Sequence, residues 1–155
     1  MLHQDISNRI DRIRLILVDD NSSFRDTLKQ FLINQYSYDV IGEASNGEDL
    51  VNLSCISSAD FIITNLMLLR INKSNAVKTI GSNYPWVKII AITMRPEDTN
   101  LLELIEQGFK GCLLKDKIQE HIFDAIAAIN NKAYYFPNDI CLTKYDINKI
   151  NNDRH

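Results

Sequence analysis

Residues 14–21 read RLILVDDN: an unbroken apolar run, Leu15–Val18, stopped by two carboxylates and an amide. A short run without polar alternation suits a strand buried on both faces. Asn21 or Ser22 can cap a helix, and Ser22–Asn34 supplies one, with Phe24, Leu28, Phe31 and Leu32 on a single face. The pattern repeats outward from there. Val40–Ala44 is a weaker strand, closed by the Asn46-Gly47 turn, and Glu48–Ile56 a short helix. Phe61–Thr64 (FIIT) is a third strand followed by Asn65, and Lys73–Ser82 a poor helix with Val77 and Ile80 inward and Pro85 at or beyond its end. Val87–Thr93 (VKIIAIT) is dense in β-branched residues and gives the strongest strand signal. Pro96 then opens a helix that runs to about Gln107, with Gly108 as its stop. Gly111–Leu114 is a fifth strand, and Ile118–Asn131 a fifth helix with Ile118, Ile122, Ile126 and Ile129 along one stripe. Strands separated by helices pair in parallel and carry helices on both faces, so the expected class is a three-layer, doubly wound α/β fold. Residues 132–155 break the rhythm: Tyr134, Tyr135 and Phe136 read as a packed tail, and the polar end is too short for a domain. Its Lys144 and Lys149 are diluted by Asp146 and Asp153, so it is no basic arm.

Composition narrows the functions. The 155 residues are 45% hydrophobic and 24% charged, which fits one globular domain and excludes wholesale disorder. A formal net charge of −3 leaves no electrostatic footprint for nucleic acid. No apolar run is long enough to span a bilayer, and the amino terminus (MLHQDISNRIDR) has no signal-peptide core, so a cytoplasmic protein with no membrane partner is expected. Cys55, Cys112 and Cys141 are odd in number and widely spaced, suggesting neither a disulfide framework nor a zinc site. His3, His121 and His155 are scattered and suggest neither a metal nor a relay site.

In an open α/β sheet, ligands bind beyond the carboxyl ends of the strands. Those ends carry Asp19 and Asp20, Asn65, Thr93 and Lys115: two carboxylates, an amide, a hydroxyl and an ammonium on one rim. The carboxylates could also serve as caps on the first helix. Lys115 could reach across the rim to Asp20 and Asn65, or to Asp19, and neutralise a buried carboxylate without metal.

The Asp19-Asp20 pair, Thr93 in AITM and Lys115 in GCLLKD together resemble the receiver domain of bacterial two-component response regulators. The resemblance covers about Arg12 to Asn131; GFKGCLLKD (108–116) is similar to the NarL/FixJ class, and AYYFPNDI (133–140) looks like the start of the linker to an output domain, with no DNA-binding domain following. It implies a flavodoxin-like five-stranded parallel sheet of order 2-1-3-4-5. It also implies that the acidic pair holds Mg²⁺, that the residue after strand 3 accepts a phosphoryl group, and that the hydroxyl and lysine contact that group.

Several positions depart from the family pattern. The phosphoacceptor position is Asn65, and a neutral amide is too poor a nucleophile to form an acyl phosphate. The change also removes a hard anionic oxygen, leaving Asp19 and Asp20 with at most a weakly held Mg²⁺ and no required cofactor. Leu68 and Leu69 stand where Met-Pro is usual, and Lys73 where a glycine is expected. Met94 replaces a small residue after the hydroxyl, where its bulk would obstruct a phosphodonor. Cys112 occupies the aromatic switch position, and Asp116 follows the lysine in place of the frequent proline.

The expectation is therefore a non-enzymatic pseudo-receiver in phosphorelay-type signalling, acting through protein contacts with a histidine kinase, another regulator or a second copy of itself, and with no direct nucleic-acid contact. Three alternatives compete with it. A flavodoxin-like small-molecule carrier would need a phosphate-cradling loop after strand 1, where two carboxylates stand. A haloacid-dehalogenase-like phosphohydrolase would need Asp-x-Asp, where the chain has Asp19-Asp20-Asn21. A shortened transcriptional regulator could silence a full-length relative by forming dimers with it.

Overall fold

The computed structural model describes residues 12–71, 76–95, 97 and 99–136. In chain order the elements are β1 (Arg14–Val18), α1 (Ser22–Tyr36), β2 (Asp39–Ala44), α2 (Gly47–Val51), a 3₁₀ turn (Ile56–Ser58), β3 (Phe61–Asn65), α3 (Leu66–Ile71), α4 (Ala76–Asn83), β4 (Lys88–Thr93), α5 (Leu101–Gln107), β5 (Phe109–Leu114), a second 3₁₀ turn (Lys115–Lys117) and α6 (Ile118–Asn130). The five strands form one sheet of order β2-β1-β3-β4-β5, every pair parallel. This is the doubly wound, three-layer α/β architecture that the apolar runs and the family resemblance imply.

Side-chain alternation along each strand divides the core in two. Leu15 and Leu17 of β1, Phe61 and Ile63 of β3, Ile90 and Ile92 of β4 and Leu113 of β5 face Leu28 and Leu32 of α1 and the isoleucine stripe of α6. Ile16, Val18, Ile62, Ala91 and Cys112 face the other way, toward Leu50, Leu66, Ile80 and Leu104 of α2 to α5. Both faces of the central strands are thus dry, which explains why they read as continuous apolar runs. Each fully buried Leu or Ile contributes about 1.5–3 kcal/mol, and the strands and the helices that cover them supply these residues in similar measure.

The helix ends follow local chemistry. Asn21 caps α1 by accepting from the Phe24 amide at 3.0 Å, and Asn46 caps α2 by accepting from the Asp49 amide at 2.7 Å. Gly108 closes α5 with a left-handed φ of 110°, which only glycine adopts freely.

Some boundaries differ from the sequence reading. The helix expected from Pro96 begins at Leu101, because the Asn100 side chain takes the Glu103 amide at 3.1 Å and so sets the first turn; Pro96 itself lies outside the described residues. The Glu48–Ile56 helix stops at Val51, and the chain resumes as the first 3₁₀ turn. β5 starts earlier than expected, at Phe109, and a register irregularity between Ile89 and Ile90 accommodates the addition. A helix absent from the sequence reading, α3, follows β3 directly. The expected Lys73–Ser82 helix is α4, from Ala76 to Asn83, with residues 72–75, including Lys73, outside the description. His3, Cys141, His155 and the tail beyond Phe136 also lie outside it.

The aromatic tail that is described packs on the molecule. Tyr135 donates its N–H to Lys110 O at 3.0 Å and accepts from the Cys112 N–H at 3.2 Å, bridging the outer edge of β5 in parallel at Gly111. A Cβ on Gly111 would sit 2.9 Å from Tyr135 O, so the approach requires glycine there. No helix among the described residues is long and apolar enough to cross a membrane.

Candidate functional site at the carboxyl ends of the strands

Strand parity decides which rim residues meet. Asp19 continues the Leu15–Leu17 row beyond β1, Asn65 ends the Phe61–Ile63 row of β3, and Lys115 continues the Leu113 row beyond β5. All three lie on the α1/α6 side of the sheet and come together. Thr93 belongs to the opposite row, with Ile89 and Ala91, and turns into its own loop. Its Oγ1 accepts from the Arg95 amide and lies the same distance, 3.3 Å, from the Arg95 carbonyl.

Asp19 is 1% exposed and is the hub. Lys115 Nζ lies 3.0 Å from its Oδ2 and 3.2 Å from its Oδ1. The Asn65 amide donates from Nδ2 to Oδ2 at 3.3 Å, and the Asn21 backbone N–H donates to Oδ1 at 2.8 Å. An ionised carboxylate offers about four lone-pair sites, and these four contacts occupy them. The other end of Asn65 is also engaged, its Oδ1 accepting from the Met67 N–H at 3.0 Å. A side chain with a donor at one end and an acceptor at the other is what this position demands, and an asparagine meets it.

Sequence reading left the partner of Lys115 open, and the structure selects Asp19. Asp20 is exposed and has no hydrogen bond or ion pair among the described residues. The ammonium is held from below as well, 4.3 Å from the centre of the Phe24 ring. Two contributors were not singled out in the sequence. From the sequence Phe24 reads only as a core residue. Arg25 donates from a terminal guanidinium nitrogen to the Asp19 carbonyl oxygen, while its Nε pairs with Glu43 at 3.1 Å and Lys29 takes the second Glu43 oxygen at 3.3 Å. An arginine in the first turn of a helix, where the dipole disfavours a cation, is the signal that could have marked it. Around the rim, Cys112 is fully buried, Leu68 packs on the α2–α5 side of the core, and Met94 is 66% exposed, so it could obstruct the rim only by swinging inward.

The donor set fits a resident Mg²⁺ poorly. This ion prefers several hard oxygens in octahedral array. Asp19 has its lone pairs filled, and the amide oxygen of Asn65 is turned to Met67. Of the two rim carboxylates, Asp20 has no partner among the described residues.

The fold and this constellation agree with comparison to known proteins. Residues 15–127 match the family model described as "Response regulator receiver domain". The chain belongs to the response regulator receiver family. It is 36% identical over 116 residues to the transcriptional regulatory protein LiaR of Bacillus subtilis, an alignment spanning 75% of this chain and 55% of LiaR. It spans about half the length of the curated relatives it matches. The isolated receiver domain of RcsB from Salmonella enterica, solved with the phosphomimetic BeF₃⁻, superposes with a TM-score of 0.68 at 21% identity, over 84% of this chain and 96% of that one. Two RcsB dimers solved on two parallel DNAs give a TM-score of 0.68 at 20% identity, over 84% of this chain and 66% of that one. At these identities the solved structures speak for the fold. This is a receiver domain of two-component signalling.

Proposed function

We propose that this receiver signals through protein contacts with little or no phosphorylation at its own rim. The observation that carries the reading is Asn65: an amide at the end of β3, donating to Asp19 and accepting from Met67. The amide does not attack phosphorus, and its partners fix it as a structural element. With Asn65 neutral, Lys115 alone balances the buried Asp19. An aspartate there would set a second carboxylate about 3.3 Å from the first, an arrangement that calls for a further cation. The asparagine thus belongs with a rim that closes without Mg²⁺, and we assign no required cofactor and at most a weakly held Mg²⁺ at Asp20. In this reading Thr93 and Lys115 correspond to the family's phosphate-contacting pair, and Met94, 66% exposed, follows Thr93. Cys112, buried at the switch position, has no ring to rotate.

The partners in this reading are proteins: a histidine kinase, another regulator, or a second copy of the chain, with residues 12–131 as the receiver and the following residues as its tail. Dimers in the RcsB structure support self-association. That structure also has RcsB on DNA, which stands against the expectation of no direct nucleic-acid contact. The test is intact-protein mass after incubation with Mg²⁺ and a small phosphodonor, on wild type and Asn65→Asp side by side. Wild type is expected to gain no phosphoryl mass and the variant to gain one. A gain on wild type contradicts the reading and directs the search to Asp19 or Asp20.

A further inference from the structure

We propose that the cavity at the amino-terminal end of β4 and β5, opposite the acidic rim, binds a compact aromatic anion of the nucleoside monophosphate class. The cavity measures about 340 Å³, within the range of small-molecule sites, and holds one base, sugar and phosphate rather than a dinucleotide. Its walls come from three parts of the fold: Trp86 and Lys88 at the start of β4, Lys110 of β5, and Ile129, Lys132 and Tyr134 at and beyond the end of α6.

Charge is the first argument. Lys88, Lys110 and Lys132 line one cavity, and none has a carboxylate partner among the described residues. In a chain of net charge −3, three ammonium groups around one opening, without a carboxylate partner among the described residues, make a local positive field that an anion satisfies. Two of them are oriented by rings, Lys88 Nζ 5.5 Å from the centre of Phe61 and Lys110 Nζ 5.3 Å from that of Tyr134. Lys132 holds a left-handed φ of 67°, a conformation uncommon for a side-chain-bearing residue. It also offsets the partial negative charge at the carboxyl end of α6.

The second argument is the aromatic wall. Trp86 is 51% exposed, yet it is fixed: its indole N–H donates to Ser57 O at 3.2 Å, and its ring meets Tyr84 edge-on at 5.7 Å. An exposed ring pinned in place at a cavity mouth is a stacking platform, and stacking accepts any planar base. Tyr134 forms another aromatic wall, positioned by the main-chain pairing of its neighbour Tyr135 with β5. The rings call for a planar apolar body and the lysines for a phosphate.

Trp86 is the only tryptophan in the chain, so its fluorescence reads this cavity alone. The protein is titrated with adenosine 5′-monophosphate, adenosine and inorganic phosphate at fixed ionic strength, with EDTA present to silence any metal at the far rim. Excitation at the red edge of indole absorption avoids adenine. The monophosphate is expected to give a saturable change, with adenosine and phosphate each weaker by about tenfold or more. Lys110→Gln combined with Lys132→Gln, both exposed positions, is expected to weaken the monophosphate about tenfold and leave the adenosine response unchanged. No saturable response to the monophosphate overturns the proposal. So does equal affinity for adenosine or phosphate, or full monophosphate affinity in the double variant.

Discussion

At the carboxyl rim the protein buries a charge; along the outer edge of β5 it buries main chain. The rim spends one ammonium, one amide and one backbone N–H on a single carboxylate, and its geometry depends on the chemical identity of Asp19, Asn65 and Lys115. The edge spends two backbone hydrogen bonds and the missing side chain of Gly111, and a phenol fastens it, Tyr135 Oη lying 3.0 Å from His121 Nδ1. An uncovered strand edge is a template for pairing with another chain, and the bridge at Tyr135 removes part of that edge. The difference is between a site whose hydrogen bonds depend on particular side chains and a contact that rests on main-chain groups.

The largest effect is expected at the rim. Lys115→Met leaves Asp19 buried without its cation, at a cost of about 3 kcal/mol measured by chemical denaturation. A loss within the few tenths typical of exposed pairs would show that the ion pair is no anchor. Gly111→Ala should cost less, about 1–3 kcal/mol, since its Cβ would meet Tyr135 O at 2.9 Å and Ile129 Cδ1 at 3.2 Å. Faster hydrogen exchange at the Cys112 and Tyr135 amides, with the rim unchanged, is the accompanying signature. Unaltered exchange at both amides would mean that the tail is not held as described. The smallest effect is expected from the phenol: Tyr135→Phe removes one hydrogen bond, about 1 kcal/mol.

The same phenol gives the edge a pH dependence. Burial, with Asp124 nearby, raises the pKa of Tyr135 above its ordinary value, and burial, with Tyr36 nearby, does the same for Tyr38. The folded chain therefore holds these protons to higher pH than the unfolded chain. Their contribution to stability is complete below the unfolded value, about pH 10, and is lost as pH rises through the folded values. An alkaline absorbance titration should show two tyrosines ionising late, one of them restored to ordinary behaviour when the tail is displaced by Gly111→Ala.

What could be read from the chain follows the same division. β1, β3 and β4 are legible as apolar runs, while β2 (DVIGEA) and the start of β5 (FKGCLL) give weaker signals, and the rim is legible because its residues sit just past the strands. Parity carries more: positions 15, 17 and 19, positions 61, 63 and 65, and positions 113 and 115 share a face, enough to choose Asp19 over Asp20 for Lys115. The start of α5 was misplaced because Pro96 is a strong local signal, whereas the Asn100 cap depends on where the chain turns. α3 was missed because an apolar stretch following a strand carries no start signal of its own. The tail's bridge to β5 and the cavity beside it were invisible for a physical reason. They rest on backbone groups common to every residue and on lysines gathered from distant parts of the chain.

The central claim is that Asn65 lets the rim close on its own ammonium in place of a metal. Calorimetric titration with Mg²⁺, on wild type and Asn65→Asp, tests it most directly. The account predicts weak binding by wild type and at least about tenfold tighter binding by the variant, in which a carboxylate replaces the amide. Wild type binding Mg²⁺ as tightly as Asn65→Asp would contradict it.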